Sequence, residues 1–283
     1  MQVINSEGEF ISVKGIDIHY HYFQHADQKR PTLVLLHGFL SSLFSFRKLI
    51  PLIKEHYSVL ALDWPPFGLS GKVKNFTYRT DYIAAVIVEM FELLSIEKFV
   101  LVGHSMGGQV ALKIASIKQE KCQSLILIAG SGYMTKFPRK IKTATYIPFF
   151  PFILKGYLQK KGVRGNLNDV VYNKKMIDDE MVKGYEEPFM KRGMLTGMTR
   201  FLRHREDDLS SKQLQNIHVP TLLIYGEQDE IIPVKIGQRL ANDLPYSTLK
   251  LLPKTGHLIP EERAEDTFKL IHEYLASITI ASQ

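Results

Sequence analysis

Ser105 is the first residue of this 283-residue chain whose setting suggests chemistry, in the stretch Gly103-His104-Ser105-Met106-Gly107-Gly108. It follows the apolar run Phe99-Val100-Leu101-Val102, a pattern that predicts a buried strand turning sharply into a helix with the serine on the bend. Glycines two positions to either side keep that bend free of collision and leave the hydroxyl accessible. A serine hydroxyl is a weak nucleophile until a base removes its proton, and the base needs a carboxylate to fix its tautomer and stabilise the imidazolium.

His257 is the expected base, because it lies in a glycine-containing loop after the strand predicted at 247–252, where parallel sheets carry functional groups. The carboxylate is expected from an earlier strand end. Gly130-Ser131-Gly132-Tyr133 offers none, whereas Gly226-Glu227-Gln228-Asp229 offers Asp229, with Glu227 as the second candidate. Negative charge developing on a substrate oxygen needs N–H donors. The amide of Met106, at the start of the helix after the bend, is one expected donor, and that of Phe39, in His37-Gly38-Phe39, is the other. His37, Gly38 and His104, which belong to the same loops, and Trp64, in the loop after the strand predicted at 57–62, are the expected substrate contacts. Asp63, at a predicted strand end before Pro65 and Pro66, reads as a loop organiser.

These groups require a scaffold of alternating strands and helices. Residues 9–13 and 16–23 alternate apolar and polar around Lys14-Gly15 and predict an edge hairpin, with His19 and His21 facing solvent. Continuous apolar runs at 32–36, 57–62, 99–102, 123–129, 219–225 and 247–252 predict strands, most of them covered on both faces. Helical spacing appears at 43–54, 77–95, after Ser105, at 234–244 and at 263–277. Length and composition fit one α/β domain with an insertion.

The alternation fails between Tyr133 and Arg205, too long a stretch for an ordinary loop. Residues 131–206 are therefore expected to form a helical cap inserted into a core made of 1–130 and 207–283. Its aromatic run, Tyr146-Ile147-Pro148-Phe149-Phe150-Pro151-Phe152, would face either the active-site cleft or the cap's own core. Gly156, Gly162, Gly165, Gly193 and Gly197 would let the cap move.

The chain carries a net charge of +7, and its distribution is uneven. Residues 131–206 hold 16 Lys and Arg against 7 Asp and Glu, while the rest holds 20 against 22. A solvated helical face accounts for such an excess, and so does a surface that meets an acidic ligand or makes weak contact with an anionic membrane. No run of about 18 apolar residues and no basic-then-apolar start is present, so a cytoplasmic location is expected. The single cysteine, Cys122, reads as a packed, inert thiol.

Taken together, His37-Gly38-Phe39, the Ser105 stretch, Gly226-Glu227-Gln228-Asp229 and Gly256-His257 resemble the motifs of the α/β-hydrolase fold superfamily, over nearly the whole chain apart from the cap. Asp63-Trp64-Pro65-Pro66-Phe67-Gly68-Leu69-Ser70 is similar to that superfamily's Asp-x-x-Gly-x-Gly-x-Ser segment, with Pro66 where glycine is usual. That departure implies a stiffer loop and is similar to bacterial hydrolases of the YugF type. The resemblance implies an α/β-hydrolase fold with a mostly parallel sheet flanked by helices. It also implies hydrolysis through a serine-bound acyl intermediate, with Ser105 as nucleophile, His257 as proton shuttle, Asp229 orienting it, and the amides of Phe39 and Met106 as oxyanion hole. A serine at the nucleophile position sets the chain apart from the dehalogenase and epoxide hydrolase branches, which resemble this fold but use aspartate there.

The expected activity is hydrolysis of a carboxylic ester of a small to medium acyl substrate. Carbon–carbon bond hydrolysis of a diketone is an alternative with the same triad, and a non-catalytic ligand-binding module is another. No cofactor, no metal and no nucleic-acid partner is expected.

Overall fold

The computed structural model describes residues 8–27, 29–134 and 138–281. Among these, eight strands form one sheet: β1 (Glu9–Val13), β2 (Ile16–Phe23), β3 (Thr32–Leu36), β4 (Ser58–Leu62), β5 (Phe99–His104), β6 (Cys122–Ile128), β7 (Thr221–Gly226) and β8 (Ser247–Leu252). Their spatial order is β1-β2-β4-β3-β5-β6-β7-β8. The hairpin β1–β2 and the β2–β4 pair are antiparallel, and all other pairs are parallel.

The helices of more than one turn are α1 (Thr80–Leu93), α2 (Gly107–Ile117), α3 (Arg139–Ala144), α4 (Phe150–Gln159), α5 (Gly162–Val170), α6 (Asp179–Met190), α7 (Met194–His204), α8 (Val234–Asp243) and α9 (Ala264–Ala281). One face of the sheet packs against α1, α2 and α8, through residues such as Ile83, Val110 and Leu240. The other packs against α9 and the short helix Ile50–Ile53, through Ile53, Ile271 and Leu275. This two-sided burial explains why β3 to β7 read as unbroken apolar runs. The helix predicted at 43–54 is divided into a 3₁₀ turn, Leu43–Phe46, and the short helix Ile50–Ile53. Pro51 lies in the first turn of the short helix and has no N–H to donate to Arg47 O, so the helix does not run on continuously from the 3₁₀ turn.

Parallel register brings the chemistry to one edge. Leu36 lies opposite Gly103, His104 opposite Ile128, and Gly226 opposite Leu252. The loops that follow β3, β5, β7 and β8 therefore leave the sheet at the same end.

His19 is buried, contrary to the solvent-facing expectation. The loop after β4 crosses it: its Nδ1 lies 2.8 Å from Asp63 Oδ2, and its backbone N–H donates to Ser70 Oγ at 2.8 Å. Strand alternation cannot reveal such a covering loop.

Between β6 and β7 lie α3 to α7, with no strand among the described residues. Met194, Met198 and Phe201 of α7 join the main core. Leu167, Val171, Ile177, Met181 and Tyr185 form a smaller core of their own with Leu258, from the loop after β8. The aromatic run faces neither cleft nor core: Tyr146, Phe149 and Phe152 are 62%, 69% and 70% exposed. The inward positions of α4 are taken instead by Leu154 and Leu158, which pack on the main core. Gly197 is a close-approach glycine, not a hinge, since a Cβ there would meet Pro66 Cβ at 2.7 Å. No helix among the described residues is long and apolar enough to cross a membrane.

Candidate active site

Ser105 sits between β5 and α2 with φ of 52°, the left-handed conformation that a sharp strand-to-helix bend imposes. The strain is held by a backbone framework. Its N–H donates to Ile128 O at 3.0 Å, and its carbonyl accepts from Gly108 and Ser131 at 2.9 and 3.0 Å. Gly107 is required by close approach, because a Cβ there would lie 2.1 Å from Leu36 O.

His257 Nε2 lies 2.9 Å from Ser105 Oγ, and its Nδ1 lies 2.8 Å from Asp229 Oδ2. The structure thus brings together three side chains far apart in sequence. Asp229 is fixed in turn: its Oδ1 accepts the N–H groups of Ile231 and Ile232, both at 2.8 Å. That leaves Oδ2 for the imidazole, so the carboxylate orients the ring with Nδ1 protonated and Nε2 free to accept from the serine. Glu227, the second candidate, is exposed and takes no part in this chain of bonds.

The loop carrying His257 is anchored from two sides. Gln228 exchanges hydrogen bonds with Thr255, the N–H of each reaching the other's side chain or carbonyl at 3.0 Å. The N–H of His257 donates to Val170 O, at the end of α5, at 2.7 Å. Arg47 adds a third junction, with Nε on Glu261 at 3.0 Å and Nη1 on Glu180 of α6 at 2.7 Å.

Gly38 lies against the serine, since a Cβ built on it would meet Ser105 Cβ at 3.1 Å. Among the described residues, the amides of Phe39 and Met106 donate to no other protein group, which leaves both free for an oxyanion. The rings of His37 and Trp64 have no exposed surface, so the expected substrate contact is not met by either. They brace the loop instead. Trp64 Nε1–H donates to His37 O at 2.7 Å, and the two rings stack 5.4 Å apart. Asp63 organises this layer, accepting the N–H groups of Leu43 and Leu69 at 2.7 and 2.8 Å.

His104 is also buried, its Nε2–H donating to His257 O at 2.9 Å. Burial, with the His257 ring beside it, lowers its pKa to about 3, and burial lowers that of His37 as well. Both therefore stay neutral near pH 7 and serve as framework. Burial pushes the Cys122 thiol up to about 12, as an inert packed thiol requires. Among the described residues, no group of three or more His, Cys, Asp or Glu converges as metal ligands would.

Two contributors are not legible in the sequence. Val170 holds the His257 loop through a backbone carbonyl, which no side-chain pattern announces. Arg205 is buried beside the Ser105 loop, with Nη1 3.5 Å from Met106 Sδ and Nη2 2.9 Å from Asp208 Oδ1. Asp208 also accepts the N–H of Met134 at 2.9 Å, so this pair closes the neck of the insertion. The only sequence signal is the i, i+3 spacing of Arg205 and Asp208.

Comparison with known proteins agrees with this architecture. The profile of the alpha/beta hydrolase fold family matches residues 31–264. The chain is 46% identical to the uncharacterized hydrolase YugF of Bacillus subtilis over 265 residues, covering 94% of this chain and 95% of that one. It is 24% identical to epoxide hydrolase 3 of Xenopus tropicalis, covering 94% and 77% of the two chains. A meta-cleavage product hydrolase of Pseudomonas fluorescens superposes with a TM-score of 0.79 at 21% identity, covering 96% and 98%.

Proposed function

We propose a reaction from one premise: the chain belongs to the alpha/beta hydrolase fold family and is a hydrolase. It cleaves carboxylic esters of small to medium acyl chains through a serine-bound acyl intermediate, beneath a helical cap formed by residues 131–206. The observation that carries this reading is the unbroken chain of hydrogen bonds from Ser105 Oγ through His257 to Asp229.

In the first half-reaction His257 Nε2 takes the proton of Ser105 as Oγ attacks the ester carbonyl carbon. The carbonyl oxygen becomes an oxyanion held by the amides of Phe39 and Met106. Collapse of the tetrahedral species breaks the ester C–O bond, and the imidazolium gives its proton to the departing alkoxide, which leaves as an alcohol. Asp229 stabilises the imidazolium and, in the neutral ring, keeps the proton on Nδ1 so that Nε2 is free to accept. In the second half-reaction water loses a proton to His257 and attacks the acyl carbon. The acid departs and Ser105 Oγ regains its proton.

A serine at the bend also supports an acyl route over the one implied for the epoxide hydrolase branch, despite the 24% identity to that relative.

The test is a p-nitrophenyl ester series of rising chain length, with fluorophosphonate labelling of the same preparation. Turnover of esters, labelling at Ser105 and loss of both in Ser105→Ala are expected. Labelling with turnover confined to a vinylogous diketone, followed by stopped-flow absorbance, would replace the ester reading with carbon–carbon hydrolysis. Absence of labelling would replace it with ligand binding alone.

A further inference from the structure

The aromatic run left outside both cores forms an exposed apolar face. Tyr146, Ile147, Phe149, Phe152 and Ile153 are each between 49% and 70% exposed, within eight residues of sequence. Such a contiguous patch is unfavourable in water and marks a surface that something covers. The segment is held outward and has not merely failed to pack. Arg203 of α7 lies 3.9 Å over the ring of Tyr146, its Nε donates to Thr145 Oγ1 at 3.1 Å, and Leu154 and Leu158 occupy the inward side of α4.

Charge says what the cover is. No Asp or Glu occurs between Glu120 and Asp169. Arg139, Lys140, Lys142, Lys155 and Lys160 flank the apolar residues, are exposed, and pair with no carboxylate among the described residues. A second copy seated face to face on this patch would set cations against cations with nothing to neutralise them. An anionic lipid surface matches both features: aromatic and aliphatic side chains enter the boundary between headgroups and acyl chains, and the basic residues around them meet phosphates.

We propose that the face formed by residues 139–160 docks the protein on the headgroup region of an anionic bilayer. Phe149, Phe152 and Ile153 enter the interface, and the flanking basic side chains contact lipid phosphates. The docking is peripheral and does not depend on which bond the serine attacks. It does bear on the site, because the face is tied through Arg203 to α7, whose Phe201 ring packs 5.9 Å from that of Phe39.

The test is flotation of the full-length chain with vesicles of phosphatidylglycerol and phosphatidylcholine, against vesicles of phosphatidylcholine alone. Binding to the anionic vesicles is expected. It should weaken at least about tenfold between ~0.1 M and ~1 M salt, as the screening length falls from about 10 to about 3 Å. The triple substitution Phe149→Ser, Phe152→Ser, Ile153→Ser should weaken it by about tenfold or more. Leu93→Ser, at an exposed apolar position on α1, should leave it unchanged. Phe152→Trp gives a readout independent of the triple variant's folding: the one native tryptophan, Trp64, is fully buried, so a blue shift on adding vesicles reports the substituted position alone. Absence of vesicle binding, an emission spectrum of the Phe152→Trp variant that vesicles leave unshifted, or equal binding to phosphatidylcholine at all salt concentrations would each overturn the proposal. So would a dimer, seen by light scattering, that the triple substitution converts to monomer.

Discussion

Helices α7 and α4 belong to the same insertion and are both rich in apolar residues, yet they meet opposite fates. In α7, Met194, Met198 and Phe201 are buried at helical spacing, and Phe201 packs against Phe39, Trp64 and Phe67 beside the candidate site. In α4, Leu154 and Leu158 take the inward face while Phe152 and Ile153 point to solvent. The difference is one of amphipathic pattern. On α7 a polar face carries Arg200 and Arg203 outward, so its apolar stripe has one direction to go; α4 has apolar residues on two sides and can bury only one. One helix is part of the floor of the site, and the other is surplus to the fold.

Experiments can break or sharpen that contrast. The largest effect is expected at the floor's target: Ser105→Ala should lower kcat for an activated ester by about 10⁴-fold or more, with the fold intact by circular dichroism. Asp229→Asn should cost nearly as much, about 10⁴-fold, because an amide can hold the imidazole in the wrong tautomer. Next comes Phe201→Ala, which should destabilise the protein by about 3–5 kcal/mol in urea unfolding, as a buried aromatic does when truncated. If Phe201→Ala is silent, α7 is no part of the core.

Acid should act on the buried framework around Ser105 before it acts on the outer face. His37 and His104 are held neutral by burial, whereas in the unfolded chain each titrates near 6.5. Below that value the unfolded chain takes up protons that the folded one refuses, so stability falls as pH drops through 6.5, and for His104 the fall continues to about 3. Melting temperatures measured from pH 7 to 4 should show the decline, with a shallower slope in His104→Gln. The smallest effect belongs to α4: Phe152→Ser should change stability by no more than about 0.5 kcal/mol, since its side chain is already in water. A large loss there would mean that the exposed face is structural.

The sheet is legible because burial on both sides leaves an unbroken apolar signature, and the starts and ends of β1, β2, β3 and β8 stand where alternation and turn residues place them. Ser105, Asp229 and His257 are legible as candidates because each sits in a short loop whose glycines advertise a constrained backbone. Other features are not, and the cause in each case is a tertiary contact. His19 alternates as a solvent-facing residue should, but the loop carrying Asp63 and Ser70 crosses it. His37 and Trp64 stand in the right loop for substrate contact and are consumed in bracing it. An aromatic run reads as inward-facing because aromatic residues usually pack, and only the position of Leu154 and Leu158 shows that the inner side is already occupied.

The bond from the His257 amide to the Val170 carbonyl ties the base to the insertion by its main chain. Lifting residues 162–177 away would strip that amide of its acceptor and pull at the same time on Leu258, which shares their small core. An opening that kept this bond would swing from the far side, around α3 and α4, with the stretch nearest the imidazole as pivot. The doorway of this molecule is lopsided, and its fixed jamb is the one that keeps the proton carrier in line.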